Sequence, residues 1–181
     1  MPATRIVWIA SVRHRLRQGL AALLTRSTPD TDALAGAWLS ADERTLFGRM
    51  PAHDQSHAVR VARRLLGAGH DHRELIAAAL LHDLAKAGMP DCPGRVRLTD
   101  RALRVILGRI APATLTRLTT DPDWPFGRGL YLAVHHARLG AETARLAGSS
   151  RRTCWLIAHH EDRMTDDEGL RELIAADDAT V

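Results

Sequence analysis

Leu75-Ile76-Ala77-Ala78-Ala79-Leu80-Leu81-His82-Asp83 is the stretch on which the reading of this chain turns. Its apolar run predicts a buried helix. A histidine beside an aspartate at the end of such a run is costly to desolvate unless something offsets the cost. A metal ion does so. Other side chains able to bind metal fall where further helices would bring them: His57 upstream, then His136, His159, His160 and Asp177 downstream.

Outward from that stretch, apolar spacing and cap signals predict helices nearly throughout and no convincing strand, so the expected fold class is all-α. A helix is expected over 31–39. Ser40 and Glu43 form a capping-box pattern for a short one ending near Arg49. Asp54 is expected to cap the next, which carries His57 in its first turn and closes at Gly67 and Gly69. Asp71 and Glu74 look like a cap pair for a helix running to about Ala87 with His82, Asp83 and Lys86 on it. Residues 88–98 read as a loop. Helices are expected at 100–110 and 113–119, then at 128–147 with a bend near Gly140. Ser149 or Ser150 caps a helix through His160, and Thr165 with Glu168 caps the last, which carries Asp177.

Two parts are expected. Residues 1–27 hold a basic amphipathic helix, with Ile9, Val12, Leu16, Leu20 and Leu23 at helical spacing among arginines. It reads either as docking on an anionic membrane surface or as packing on its own domain with a solvated arginine face. Residues 28–181 form one domain. Apolar residues are 45% and charged residues 25% of the chain, an ordinary soluble balance, and aromatics are only 4%, so Leu, Ala, Val and Ile must build the core. Cys92 and Cys154 form no motif together; Cys154 reads as a small buried hydrophobe, and a reducing, cytoplasmic setting is expected. Arginines interrupt the N-terminal apolar residues, so no signal sequence is expected, and no stretch has the length of a membrane span. The net charge of +4 favours anionic ligands. Lys86, three residues after Asp83, is the only lysine among many arginines.

Imidazole nitrogen and carboxylate oxygen suit divalent Fe, Mn, Co, Ni or Zn. No thiolate is placed to make a structural zinc site. Neighbouring helical residues point about 100° apart, so His82 can bind one ion while Asp83 binds the same ion or bridges to a second. The remaining ligands must converge from other helices.

The ordered set resembles that of the HD-domain metal-dependent phosphohydrolases, whose pattern is H…HD…D with extra histidines in two-metal members. Asp54-Gln55-Ser56-His57-Ala58-Val59-Arg60-Val61-Ala62 is similar to the family's first histidine helix, and Leu80-Leu81-His82-Asp83-Leu84-Ala85-Lys86 to its signature. His136-Ala137-Arg138-Leu139-Gly140-Ala141 and Ile157-Ala158-His159-His160-Glu161 resemble segments of the HD-GYP branch. Ile174-Ala175-Ala176-Asp177 resembles the final metal-binding aspartate. The Gly-Tyr-Pro segment itself is missing after Glu161.

The resemblance, which covers roughly 54–178, implies a compact HD-type helical bundle. It implies one ion on His57, His82, Asp83 and Asp177, and a second sharing Asp83 and taking His136 with His159 and His160. It further implies hydrolysis of a phosphate ester or phosphoanhydride of a small substrate, a nucleotide, by a metal-activated water. Asp83 and Lys86 would be catalytic, with Lys86, Arg95 and Arg97 holding substrate and Arg101 at the mouth. His135 competes with His136, Asp178 competes with Asp177, and His160 is a ligand or an outer group orienting one. A di-iron oxygenase is the alternative among enzymes, because inositol oxygenase-like proteins use a similar ligand set on this scaffold. A catalytically inactive nucleotide-binding module is the alternative outside them. Nucleic-acid binding rests on the N-terminal arginines alone, and nothing indicates an oligomeric state.

Overall fold

The structure, a computed structural model, describes residues 29–89, 92–124 and 127–180. The amphipathic helix expected within 1–27 lies outside them. The described residues form nine α-helices: α1 (Pro29–Trp38), α2 (Ala41–Arg49), α3 (Ala52–Gly67), α4 (Arg73–Leu81), α5 (Leu98–Ile110), α6 (Pro112–Leu118), α7 (Arg128–Leu146), α8 (Arg151–His159) and α9 (Glu168–Asp178). One 3-10 turn, Leu84–Ala87, follows α4. Among the described residues there is no strand, and the all-α expectation holds. None of their helices is long and apolar enough to cross a membrane.

Every residue of α4 from Leu75 to Leu81 is buried. A helix apolar on all sides needs neighbours on all sides. Here α1, α2, α3, α8 and α9 supply them, while α7 packs along α8 and over the 3-10 turn. The alanines at 77–79 let those neighbours approach. The C-terminal end of α4 therefore emerges in the middle of the molecule rather than at its surface.

The helix expected to reach Ala87 stops at Leu81. His82 Nδ1 donates to the carbonyl of Ala79 at 2.9 Å, a side-chain bond that competes with the helical ladder. Asp83 turns the chain (φ −102°, ψ 7°), and the 3-10 segment ends at Gly88 with φ +87°. A Cβ at Gly88 would stand 2.2 Å from the carbonyl oxygen of Gly94. Glycine is required there by its dihedral and by that close approach. The loop thereby folds back, and Val96 N donates to Lys86 O at 2.9 Å.

Several caps differ from expectation. The Ser40–Glu43 box is present, with bonds of 2.8 and 3.2 Å. The Glu43 carboxylate is buried and also accepts from Ser149 Oγ at 2.7 Å and Arg73 Nη2 at 3.1 Å. Ser149 is thus engaged, and Ser150 caps α8. Asp167, not Thr165, caps α9, accepting from Leu170 N at 2.8 Å. Asp71 does not cap α4: its N-cap is His72, with no side-chain bond. Asp54 is no cap either; α3 begins just after Pro51, which leaves Asp54 buried in the first turn and His57 in the second. Helix α7 runs unbroken through Gly140. Cys154 is half-buried rather than buried, and it packs against the core.

Candidate metal centre

His57 comes from α3, His82 and Asp83 from the turn that ends α4, His136 from α7, His160 from the residue after α8, and Asp177 from α9. They meet as two groups, His57/His82/Asp177 and Asp83/His136/His160, each with its ligand atoms within 4.8 Å of one another. Asp83 Oδ1 links them. It lies 3.5 Å from His82 Nε2, 3.6 Å from His136 Nε2 and 3.8 Å from His160 Nε2. His82 Nε2 is also 3.6 Å from Asp177 Oδ1. These gaps exceed a hydrogen bond. They approach the roughly 3.3–3.6 Å expected between two ligand atoms on one tetrahedral ion with bonds near 2.1 Å.

Three histidines are held in the same way. Nδ1 of His82, His136 and His160 donates to the carbonyl three residues upstream, at 2.9, 3.1 and 2.7 Å. That bond occupies Nδ1 and aims Nε2 at the centre. For His82 and His160 the bonded carbonyls belong to the last turns of α4 and α8, where helical partners run out. Both helices therefore end at the cluster, and the negative ends of their dipoles favour a cation there.

His82 Nε2, His136 Nε2 and Asp83 Oδ1 are buried with no hydrogen-bond partner among protein atoms. A buried polar atom without a partner costs about 1–3 kcal/mol. Two imidazole nitrogens at 3.5 and 3.6 Å from one carboxylate oxygen are donor atoms that fit a divalent ion. Burial works to raise the Asp83 carboxyl, but His82, Lys86, His136 and His160 outweigh it and hold it well below the usual range. Burial, helped by Lys86, pushes His136 down to about 3, and burial lowers His160 as well. Both imidazoles are neutral donors of the kind metals need. At His82 burial is overcome by the carboxylates of Asp83 and then Asp177, which hold it up at about 9. Those carboxylates favour positive charge at this point. Asp177, despite burial, is held far below its ordinary value by His57 and His82; His57 Nε2 donates to its Oδ1 at 2.8 Å.

Of the residues expected here, His159 is not brought in. It follows the outer face of α8, 41% exposed, bonded to Asp162 Oδ2 at 2.6 Å and lying against the Trp155 ring. At the end of α8, where only one side is covered, His160 takes the inner place. His136 rather than His135 joins the cluster; His135 donates to Thr119 O at 3.0 Å and lies against Tyr131. Asp177 joins, whereas Asp178 pairs with Arg163 on the surface. Lys86 is present at the centre, with Nζ donating to Asp83 Oδ2 at 2.6 Å. Arg95 and Arg97 are exposed on the loop side of α5, and the arginines whose ion pairs reach the acids around the centre lie further along that helix. Arg101 Nη2 is 3.8 Å from Asp54 Oδ1. Arg104 donates through both Nη atoms to the two Glu161 oxygens at 2.7 Å each, and Glu161 Oε1 is 3.9 Å from His136 Nε2. Asp54, Arg104 and Glu161 were not expected. Their signals were the three-residue spacings Asp54–His57 and Arg101–Arg104, each on one helix face, and the adjacency of Glu161 to His160.

Comparison of the chain with protein-family models, curated proteins and solved structures returned no match. The buried His/Asp groups, which could hold a metal ion, rest on the geometry alone.

Proposed function

We propose that this chain is a metal-dependent phosphohydrolase of the HD type, cleaving a phosphate ester or phosphoanhydride of a nucleotide. The observation that carries the reading is a set of three partnerless buried atoms, with His82 Nε2 and His136 Nε2 at 3.5 and 3.6 Å from Asp83 Oδ1. His57, His82 and Asp177 would hold one divalent ion, and Asp83, His136 and His160 a second, with Fe, Mn, Co, Ni or Zn suited to the donors. Three protein ligands per ion is the number typical of catalytic sites, which keep a position open, and not of closed structural ones. When bound, such ions supply Lewis acidity toward a phosphoryl oxygen and bring water toward nucleophilic strength at neutral pH.

The protein's own residues explain the preference for an anion. Lys86 holds one oxygen of Asp83, leaving the other turned to the histidines, and its remaining N–H donors suit a phosphoryl oxygen. Arg101 and Arg104 border the centre and would add to the substrate contacts expected of Arg95 and Arg97. Their forked guanidiniums match phosphate as they match the carboxylates they now hold. Metal analysis of protein purified without chelator is the test, beside Asp83→Ala. One or more ions retained by the wild type, lost in the variant, together with nucleotide hydrolysis under Mn or Co without oxygen, is the expected result. No metal retained and none taken up on titration would sink the reading.

A further inference from the structure

Helix α5 is built the wrong way round for a helix of a water-soluble domain. Its partly covered positions are Asp100, Arg104 and Leu107. Its large apolar side chains, Leu98, Leu103, Val105, Ile106 and Ile110, are between 42% and 75% exposed. No residue of α5 or of α6 beside it is buried. Leu146, Trp155 and Met164, exposed elsewhere, are dispersed along other segments; five on one helix form a patch, and patches mark interaction sites.

The charges around the patch say what it fits. Arg97, Arg101, Arg109 and Arg117 are exposed along α5 and α6, and no acidic residue occurs from 101 to 120. A partner must therefore be both apolar and anionic. A second copy of this face would set arginine against arginine. The N-terminal segment, with Arg5, Arg13, Arg15 and Arg17, brings the same sign of charge. An anionic lipid surface offers acyl chains below and negative head groups above, the arrangement that arginine-flanked amphipathic helices enter. We infer that the α5–α6 hairpin docks on an anionic membrane surface, with Leu103, Ile106 and Ile110 inserted and Arg109 and Arg117 at head-group level.

The inference does not depend on the hydrolase reading. Its test is flotation of the full chain with vesicles of phosphatidylcholine alone and of equimolar phosphatidylcholine and phosphatidylglycerol. The wild type is expected to float with the anionic vesicles only, and to be released by salt. Ile106→Asp/Ile110→Asp should lower the bound fraction about tenfold or more. Arg109→Glu/Arg117→Glu, which leaves the apolar side chains in place, should lower it as well, and melting curves confirm that both variants fold. No flotation with anionic vesicles would overturn the inference. So would flotation undiminished in both variants, which would assign the contact to another segment. A wild-type dimer by light scattering that Ile106→Asp/Ile110→Asp splits, without vesicle binding, would instead make the face a self-interface.

Discussion

Helix α4 and the α5–α6 hairpin draw on the same apolar alphabet and end up in opposite surroundings. Leu75–Leu81 is buried on every side, whereas Leu98, Leu103, Val105, Ile106 and Ile110 all stand in solvent. The distinction lies in what interrupts the apolar residues. Nothing charged breaks α4 after Glu74, so the whole cylinder can be covered. Arginines at 101, 104 and 109 break α5, and Arg104 is drawn toward Glu161 beside the buried His/Asp cluster. Tying a cation inward turns the opposite face outward. Local hydrophobicity thus predicts that a segment is helical, and charge placement decides which way it faces.

The sharpest way to break this comparison is at the end of α4. Asp83→Ala should weaken metal binding by more than the 10–100-fold typical of losing an outer-shell partner, since Asp83 Oδ1 stands 3.5–3.8 Å from three imidazole Nε2 atoms. Calorimetric titration with Mn checks this. Excess metal should raise the melting point of the wild type and leave that of the variant unmoved.

Next in size is a paired truncation. Leu80→Ala, fully buried in α4, should cost about 2–5 kcal/mol in a urea melt. Ile106→Ala on α5, 52% exposed, should stay within about 0.5 kcal/mol. Equal costs would mean that α5 is covered in solution. A smaller effect is expected at the start of α2, where Ser40→Ala removes one half of the capping box at a cost of about 1 kcal/mol. The smallest is Gly140→Ala. A methyl there would meet Ile157, Ala85 and the His82 carbonyl at 3.5–3.8 Å, ordinary contacts, and the gain in helix propensity should leave stability unchanged or up to about 1 kcal/mol higher. Thermal melts would show either.

Much of this was readable beforehand, and the failures share a cause. The helical fold and the residues His57, His82, Asp83, His136, His160 and Asp177 followed from apolar spacing and from the resemblance, because both are patterns along the chain. The end of α4 at Leu81 did not: Leu84, Ala85, Lys86 and Ala87 are good helix formers, and the side-chain bond from His82 to Ala79 is invisible to propensity. His159 was misplaced because a double histidine offers two candidates one residue apart, and only the packing of α8 decides which faces inward. Arg104 and Glu161 lie 57 positions apart, and although each has a local signal, nothing along the chain pairs one with the other.

His57 and Asp177, joined at the centre, are 120 positions apart in the chain. Ions bound at the two groups would strap α3, the end of α4, α7, α8 and α9 into one unit, while α5 and α6 contribute none of the six candidate ligands. The molecule would then open in two stages. Amides of α5–α6 should exchange with deuterium at low free energy whether or not metal is present, and those of α4 and α8 should slow as metal is added. Protection would mark which part of the chain the ion governs and which part remains free to respond to a surface.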